Sequence, residues 1–151
     1  MNTQDDKTRI LFVCGGNTCR SPLAKVILEQ KLKARGQLDR FQVDSAAYDD
    51  RSHQWASTNA RRAVTKLFGD DLLASHNAKK LTPDLVEQAD LILVMEARMK
   101  TGLPPEKTWT LKEYAGGSGD VADLFGDSLE VYLSRAHEIS SALEDILPKL
   151  G

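Results

Sequence analysis

The chain has little cysteine: two residues in 151, Cys14 and Cys19, both inside one short stretch. That excludes a disulfide scaffold. Its histidines, His53, His76 and His137, are scattered and form no ligand pair at helical spacing, so neither a zinc site nor any other metal or cofactor is expected. Net charge is also missing. With 20 Lys and Arg against 22 Asp and Glu, the balance is −2, which gives no reason to expect nucleic acid or an anionic membrane as partner. No apolar run approaches the roughly 20 residues of a membrane span, and the first eight residues are mostly polar, unlike a signal peptide. A cytoplasmic location is the expectation. Internal repeats, linkers and low-complexity tracts are absent as well. What remains is an ordinary globular composition, 41% hydrophobic and 28% charged, in a length that suits a single domain over residues 1–151. Residues 1–7 are expected to be a flexible N-terminal extension.

One stretch carries chemistry. The apolar run Ile10-Leu11-Phe12-Val13 leads into Cys14-Gly15-Gly16-Asn17-Thr18-Cys19-Arg20-Ser21-Pro22. A bare Cys-x5-Arg spacing arises often by chance, from a buried cysteine and an unrelated surface arginine. Here it follows a strand-like run, encloses Gly-Gly-Asn, and precedes a helix opened by Ser21-Pro22, where proline's missing N–H costs nothing. The glycines allow backbone N–H groups to turn inward around an anion, and the helix N-terminus adds unpaired N–H groups and a favourable dipole. Arg20 supplies a planar fork for two phosphate oxygens. The same electropositive setting favours the thiolate form of Cys14. A Walker loop is excluded, since Gly-Lys-Ser/Thr is missing. A nucleophile beneath a bound phosphate points to phosphoryl transfer through a phosphocysteine.

Hydrophobic patterning supplies the frame. Thr8–Val13, Phe41–Ser45, Asp90–Met95 and Thr108–Leu111 read as strands; Pro22–Ala34, Thr58–Leu67, Pro83–Glu87 and a C-terminal stretch capped by Ser128 read as helices. The stripe Tyr132, Ala136, Ile139, Leu143, Ile146, Leu147, Leu150 is expected in the core, as is Trp109. Alternating strands and helices predict an α/β fold: a single-domain, open, doubly wound, four-stranded parallel sheet with helices on both faces. Ligands then bind beyond the C-terminal strand ends, where the Cys14 loop falls. Residues 113–127 are glycine- and aspartate-rich without periodicity, and a loop of that length is usually functional. Phosphoryl transfer also needs an acid for the leaving group and a base for water. Asp123 is the first candidate in this segment, with Asp120 and Asp127 open alternatives.

Taken together, Val13-Cys14-x-Gly16-Asn17-x-Cys19-Arg20-Ser21-Pro22, Asp44-Ser45-Ala46, Ser75-His76, Ala89–Met95 and Asp123-Leu124-Phe125-Gly126 resemble the low-molecular-weight protein tyrosine phosphatase family across nearly the whole chain. Gly16-Asn17-Thr18-Cys19 and Thr110-Leu111-Lys112-Glu113-Tyr114 are most similar to its bacterial protein arginine phosphatase branch. The resemblance implies a cysteine-dependent phosphatase acting on a phosphorylated protein, as a monomer or weak dimer. It implies Cys14, Arg20 and Asp123 as catalytic residues, and Gly15, Gly16, Asn17, Thr18, Cys19, Ser21 and Phe125 around the substrate. Ser45 and His76, with Asn17 and Ser21, correspond to a supporting hydrogen-bond network. Asp123 is favoured as the acid because it opens the loop where the family has Asp-Pro-aromatic, although Leu124 replaces the proline. Cys19 matches a thiol that can form a disulfide with oxidised Cys14. Thr18 stands where tyrosine-specific relatives carry a bulky aliphatic residue, and it favours phosphoarginine over phosphotyrosine. Tyr48 and Trp55 lie where members often place another aromatic wall. An arsenate reductase of similar fold would relay oxidation to a third cysteine, which is missing here, leaving only a version coupled to an external thiol. A non-catalytic phosphoprotein binder is the remaining alternative.

Overall fold

Successive side chains of a strand point to opposite faces, and in the strand Thr8–Cys14 (β1) both faces are apolar. Ile10 and Phe12 enter one buried cluster, Leu11 and Val13 another. A strand buried on both sides belongs in the middle of a sheet. In the computed structural model, which describes residues 7–49, 54–124 and 126–150, β1 is central. It pairs in parallel with β2 (Phe41–Ala47) on one side and β3 (Leu91–Val94) on the other, and β4 (Thr108–Thr110) adds beyond β3. The order β2-β1-β3-β4 forms a four-stranded, all-parallel sheet.

Helices cover both faces. The Ile10–Phe12 side packs on α1 (Arg20–Ala34), α2 (Thr58–Phe68) and α5 (Leu129–Ile146), through residues such as Leu23, Val64 and Ile139. The opposite side is closed by α3 (Pro83–Gln88), which sets Leu85 and Val86 against Leu11 and Ile92. Chain-end chemistry fixes these helices. The hydroxyls of Ser57, Thr82 and Ser128 accept from the N–H groups of Ala60, Leu85 and Val131, each satisfying an otherwise orphaned donor. Tyr132 is buried on α5, as its place in the stripe requires, and Trp109 is half-buried against the core.

The differences from expectation are local. The edge strand stops at Thr110 rather than Leu111, because the Thr110 hydroxyl accepts from the Glu113 N–H while the Glu113 carboxylate accepts from the Thr110 N–H. That capping box starts a further helix, α4 (Leu111–Tyr114), so the irregular segment begins only after Tyr114. Its Thr-x-x-Glu pattern was present in the sequence. Helix α1 starts at Arg20, before Pro22, which places the arginine in the first turn. Residues 1–6, most of the expected extension, lie outside the described residues, as does Phe125.

Candidate active site

Cys14 is the last residue of β1 and Arg20 the first of α1, so the loop joining them sits at the C-terminal edge of the sheet. Both side chains are buried, at 2% and 3% exposure. The loop's unusual point is Asn17, whose φ of 58° is left-handed, a conformation uncommon outside glycine and best tolerated by Asn. Three contacts hold it. The Asn17 carbonyl is 2.7 Å from His76 Nε2, its Oδ1 accepts from the Lys79 N–H at 3.1 Å, and its Nδ2 donates to Ser21 Oγ at 2.8 Å. Ser21 Oγ in turn lies 3.0 Å from Cys14 Sγ. A cysteine thiolate has no hydrogen to give, so toward that form of Cys14 the Ser21 hydroxyl is the donor. The chain Lys79–Asn17–Ser21–Cys14 thus ends on a hydroxyl beside the cysteine.

His76 holds this network from outside. Its partner is a carbonyl, so Nε2 carries the hydrogen. Burial lowers its pKa from the ordinary value, outweighing the opposite effect of the Asn17 carbonyl. The folded state thus binds fewer protons here than the unfolded chain, and stability falls as pH drops below about 6.5 toward the folded value. Urea unfolding at pH 5 and pH 7 is expected to show this loss in the wild type and a smaller one in His76→Gln. Equal losses would separate His76 from the effect. Ser45 is buried on β2 opposite Phe12; among the described residues its side chain makes no hydrogen bond to the loop.

Arg20 is oriented by groups the sequence did not single out. Its Nη1 donates to Glu96 Oε2 and to the Val121 carbonyl, both at 2.7 Å. Nη2 lies 3.9 Å from Asp123 Oδ1. Glu96 follows β3 directly, so its position past a strand's C-terminal end was the available signal. Of the three candidate acids, Asp123 is the one placed against Arg20, with 67% of its side chain exposed. Asp120 Oδ1 instead accepts from the Ala97 N–H, and Asp127 donates its own N–H to the Leu124 carbonyl. Leu124 is fully buried in the main core. Where a proline would stiffen the backbone, packing anchors this loop, with a burial term of about 1.5–3 kcal/mol.

Cys19 and Thr18 complete the loop. Cys19 is buried, and its Sγ donates to Ser57 Oγ (3.4 Å), which donates to Tyr132 Oη (3.0 Å), which lies 3.2 Å from the same sulfur. Burial, and after it the Cys19 contact, pushes the Tyr132 hydroxyl pKa upward. Tyr132 thus has a polar role that its place in an apolar stripe concealed. Thr18 is largely buried. Its carbonyl accepts from the Ser57 N–H at 3.0 Å, and its hydroxyl is 3.6 Å from Cys19 Sγ. Gly16 lies beside it: a Cβ there would sit 3.7 Å from the Thr18 hydroxyl. Tyr48 is tied by its hydroxyl to the Thr101 carbonyl, while Trp55 is 62% exposed. Among the described residues no cluster of His, Cys, Asp and Glu could hold a metal ion, and no helix is long and apolar enough to cross a membrane.

A buried cysteine beside a serine hydroxyl, with an arginine at the head of the next helix and a carboxylate 3.9 Å from it, is the arrangement a cysteine-based phosphatase would use on a parallel α/β sheet. Known proteins agree. The description of the low molecular weight phosphotyrosine protein phosphatases matches residues 9–151, and the chain belongs to that family. It is similar to the protein-arginine-phosphatases of Bacillus subtilis, at 36% identity over 93% of this chain and 95% of that one, and of Geobacillus stearothermophilus, at 34% over 94% and 95%. Among solved structures, a low molecular weight protein tyrosine phosphatase from T. tengcongensis superposes with a TM-score of 0.87 at 37% identity, covering 95% of this chain and 99% of that one. A mutant of the YwlE arginine phosphatase with a phosphorylated active-site serine gives 0.84 at 32%, covering 95% of each chain.

Proposed function

We propose that this phosphatase dephosphorylates arginine side chains of proteins in preference to tyrosine, working in the cytoplasm as one domain over residues 1–151 and as a monomer or weak dimer. The convergence of Cys14, Arg20 and Asp123 at the end of β1 supports the chemistry. The backbone N–H groups of residues 15–19 and the Arg20 guanidinium hold the phosphoryl oxygens. The Cys14 thiolate attacks phosphorus, the bond from phosphorus to the leaving nitrogen breaks, and Asp123 gives that nitrogen its proton. Asp123, now a carboxylate, takes a proton from water. The resulting hydroxide attacks the phosphocysteine, and the sulfur leaves as a thiolate stabilised by Ser21.

Support for phosphoarginine comes from Thr18 and from the arginine phosphatases among the relatives. A hydroxyl-bearing side chain makes the slot less suited to an aromatic face. The test is kcat/KM on a phosphoarginine protein against a phosphotyrosine peptide. A phosphoarginine preference is expected, and a phosphotyrosine preference would contradict the reading. Thr18→Ile is expected to move that ratio toward phosphotyrosine by about tenfold; an unmoved ratio removes Thr18 from the explanation.

A further inference from the structure

Charges of alternating sign run around the mouth of the phosphate loop. Asp123 faces Arg20, Arg20 pairs with Glu96, Glu96 Oε1 accepts from Arg98 Nε at 3.3 Å, and Arg98 pairs with Asp49. The inner part, Arg20 with Glu96, is 3% and 23% exposed and fixes the phosphate-binding guanidinium. The outer part, Arg98 with Asp49, is about half exposed on each side. It is nevertheless well formed: Arg98 Nη1 and Nη2 donate to Asp49 Oδ1 and Oδ2 at 3.1 and 2.8 Å, a two-pronged guanidinium–carboxylate contact. Those bonds hold the Asp49 carboxyl below the usual range, so it is anionic at neutral pH.

Asp49 is also pressed against the loop itself. The Tyr48 and Asp49 N–H groups donate to the Cys14 and Gly15 carbonyls at 2.8 and 3.0 Å. A Cβ on Gly15 would sit 3.1 Å from Asp49 Oδ2 and 3.7 Å from Arg20 Nη2. Arg98 Nη2 lies 3.9 Å from the same point, so an Asp49 oxygen and the Arg20 nitrogen both pack closely on Gly15, too tightly for a side chain there, and Asp49 stands at the rim of the loop. A phosphorylated arginine brings two groups to such a rim, an anionic phosphoryl for the loop and Arg20 and the cationic guanidinium that carries it. Phosphotyrosine brings a neutral ring, which gains nothing from Asp49 and must approach its charge.

We propose that Asp49 is a specificity-determining residue that receives the guanidinium of a phosphoarginine side chain, and that Arg98, which holds the same carboxylate, yields it to that substrate. The proposal rests on the phosphoarginine reading above. Arg98 presents to Asp49 the chemical group that the substrate would present, and both partners are about half exposed, so one guanidinium can replace the other with like contacts while Arg98 turns to water. Discrimination follows from both directions: a charge-assisted contact for the guanidinium, and an unmatched carboxylate for the ring.

The experiment measures kcat and KM of the wild type, Asp49→Asn, Asp49→Glu and Arg98→Ala on one peptide sequence carrying phosphoarginine or phosphotyrosine. Asp49→Asn is expected to lower kcat/KM on phosphoarginine about tenfold more than on phosphotyrosine, with Asp49→Glu restoring part of the preference. Arg98→Ala is expected to lower KM for phosphoarginine relative to phosphotyrosine by about threefold, because the competing guanidinium is gone. Equal losses on both substrates in Asp49→Asn would overturn the proposal and make the pair structural. A wild type that prefers phosphotyrosine would instead fail the substrate reading, which is scored before any variant is compared.

Discussion

Cys14→Ser is expected to reduce turnover of any phosphorylated substrate by more than about 10⁴-fold while phosphate still binds. The hydroxyl is a far weaker nucleophile than the thiolate, yet the change is nearly isosteric at a side chain that is 2% exposed. The Ser21 contact can pass from the sulfur to the new hydroxyl, and among the described residues no other part of the loop bonds to the Cys14 side chain. Asn17 keeps its bonds to His76, Lys79 and Ser21, and Arg20 keeps Glu96 and Val121. Phosphate affinity measured by calorimetry should therefore remain within a few-fold of wild type. The pairing of lost turnover with kept binding also separates a phosphatase from a phosphoprotein-binding module, which would show no turnover to lose. Hydrolysis that survives the substitution would take the nucleophilic role away from Cys14.

Asp123→Asn carries the second large effect, a loss of about 10²–10⁴ in kcat. Its size should depend on the leaving group. An alkylguanidine leaves phosphorus readily only when its nitrogen gains a proton, whereas p-nitrophenolate leaves without one. Loss in the first step should be large for phosphoarginine and small for p-nitrophenyl phosphate, leaving the aryl substrate limited by hydrolysis of the phosphoenzyme. The side chain is 67% exposed and 3.9 Å from Arg20, so the substitution should leave the fold intact. The neighbouring Leu124 anchors the loop in the core, and Leu124→Ala is the change that would loosen it. An equal loss in the first step, read from the pre-steady-state burst on both leaving groups, would assign Asp123 to binding rather than proton transfer to the leaving group.

The loop was legible because its chemistry is compressed into nine consecutive residues, Cys14 to Pro22, behind an apolar strand. The sheet was legible for a similar reason, since β1 and β3 are continuous apolar runs. What stayed hidden depends on long-range placement. Glu96 meets Arg20 across 76 positions, Lys79 meets Asn17 across 62, and Tyr132 meets Cys19 across 113. No local pattern encodes such contacts, and a buried tyrosine in an apolar stripe reads as packing until its hydroxyl finds a partner. The resemblance, not spacing, separates Asp123 from Asp120 and Asp127; among the described residues Asp123 lies 3.9 Å from Arg20 while Asp120 binds the Ala97 N–H. The short helix α4 was written as a capping box, Thr110 to Glu113, but merged with the edge strand because the strand supplies its cap.

The most direct test of the central claim is a rapid acid quench of Asp123→Asn mixed with p-nitrophenyl phosphate, followed by peptide mass spectrometry. The leaving group departs unaided, so phosphoryl transfer to sulfur proceeds while hydrolysis lacks its base, and the intermediate should accumulate. The expected result is one added phosphoryl group on the peptide containing Cys14, chasing to inorganic phosphate with time. Release of nitrophenol at the wild-type rate with no phosphorylated cysteine at any time point would contradict a phosphocysteine mechanism.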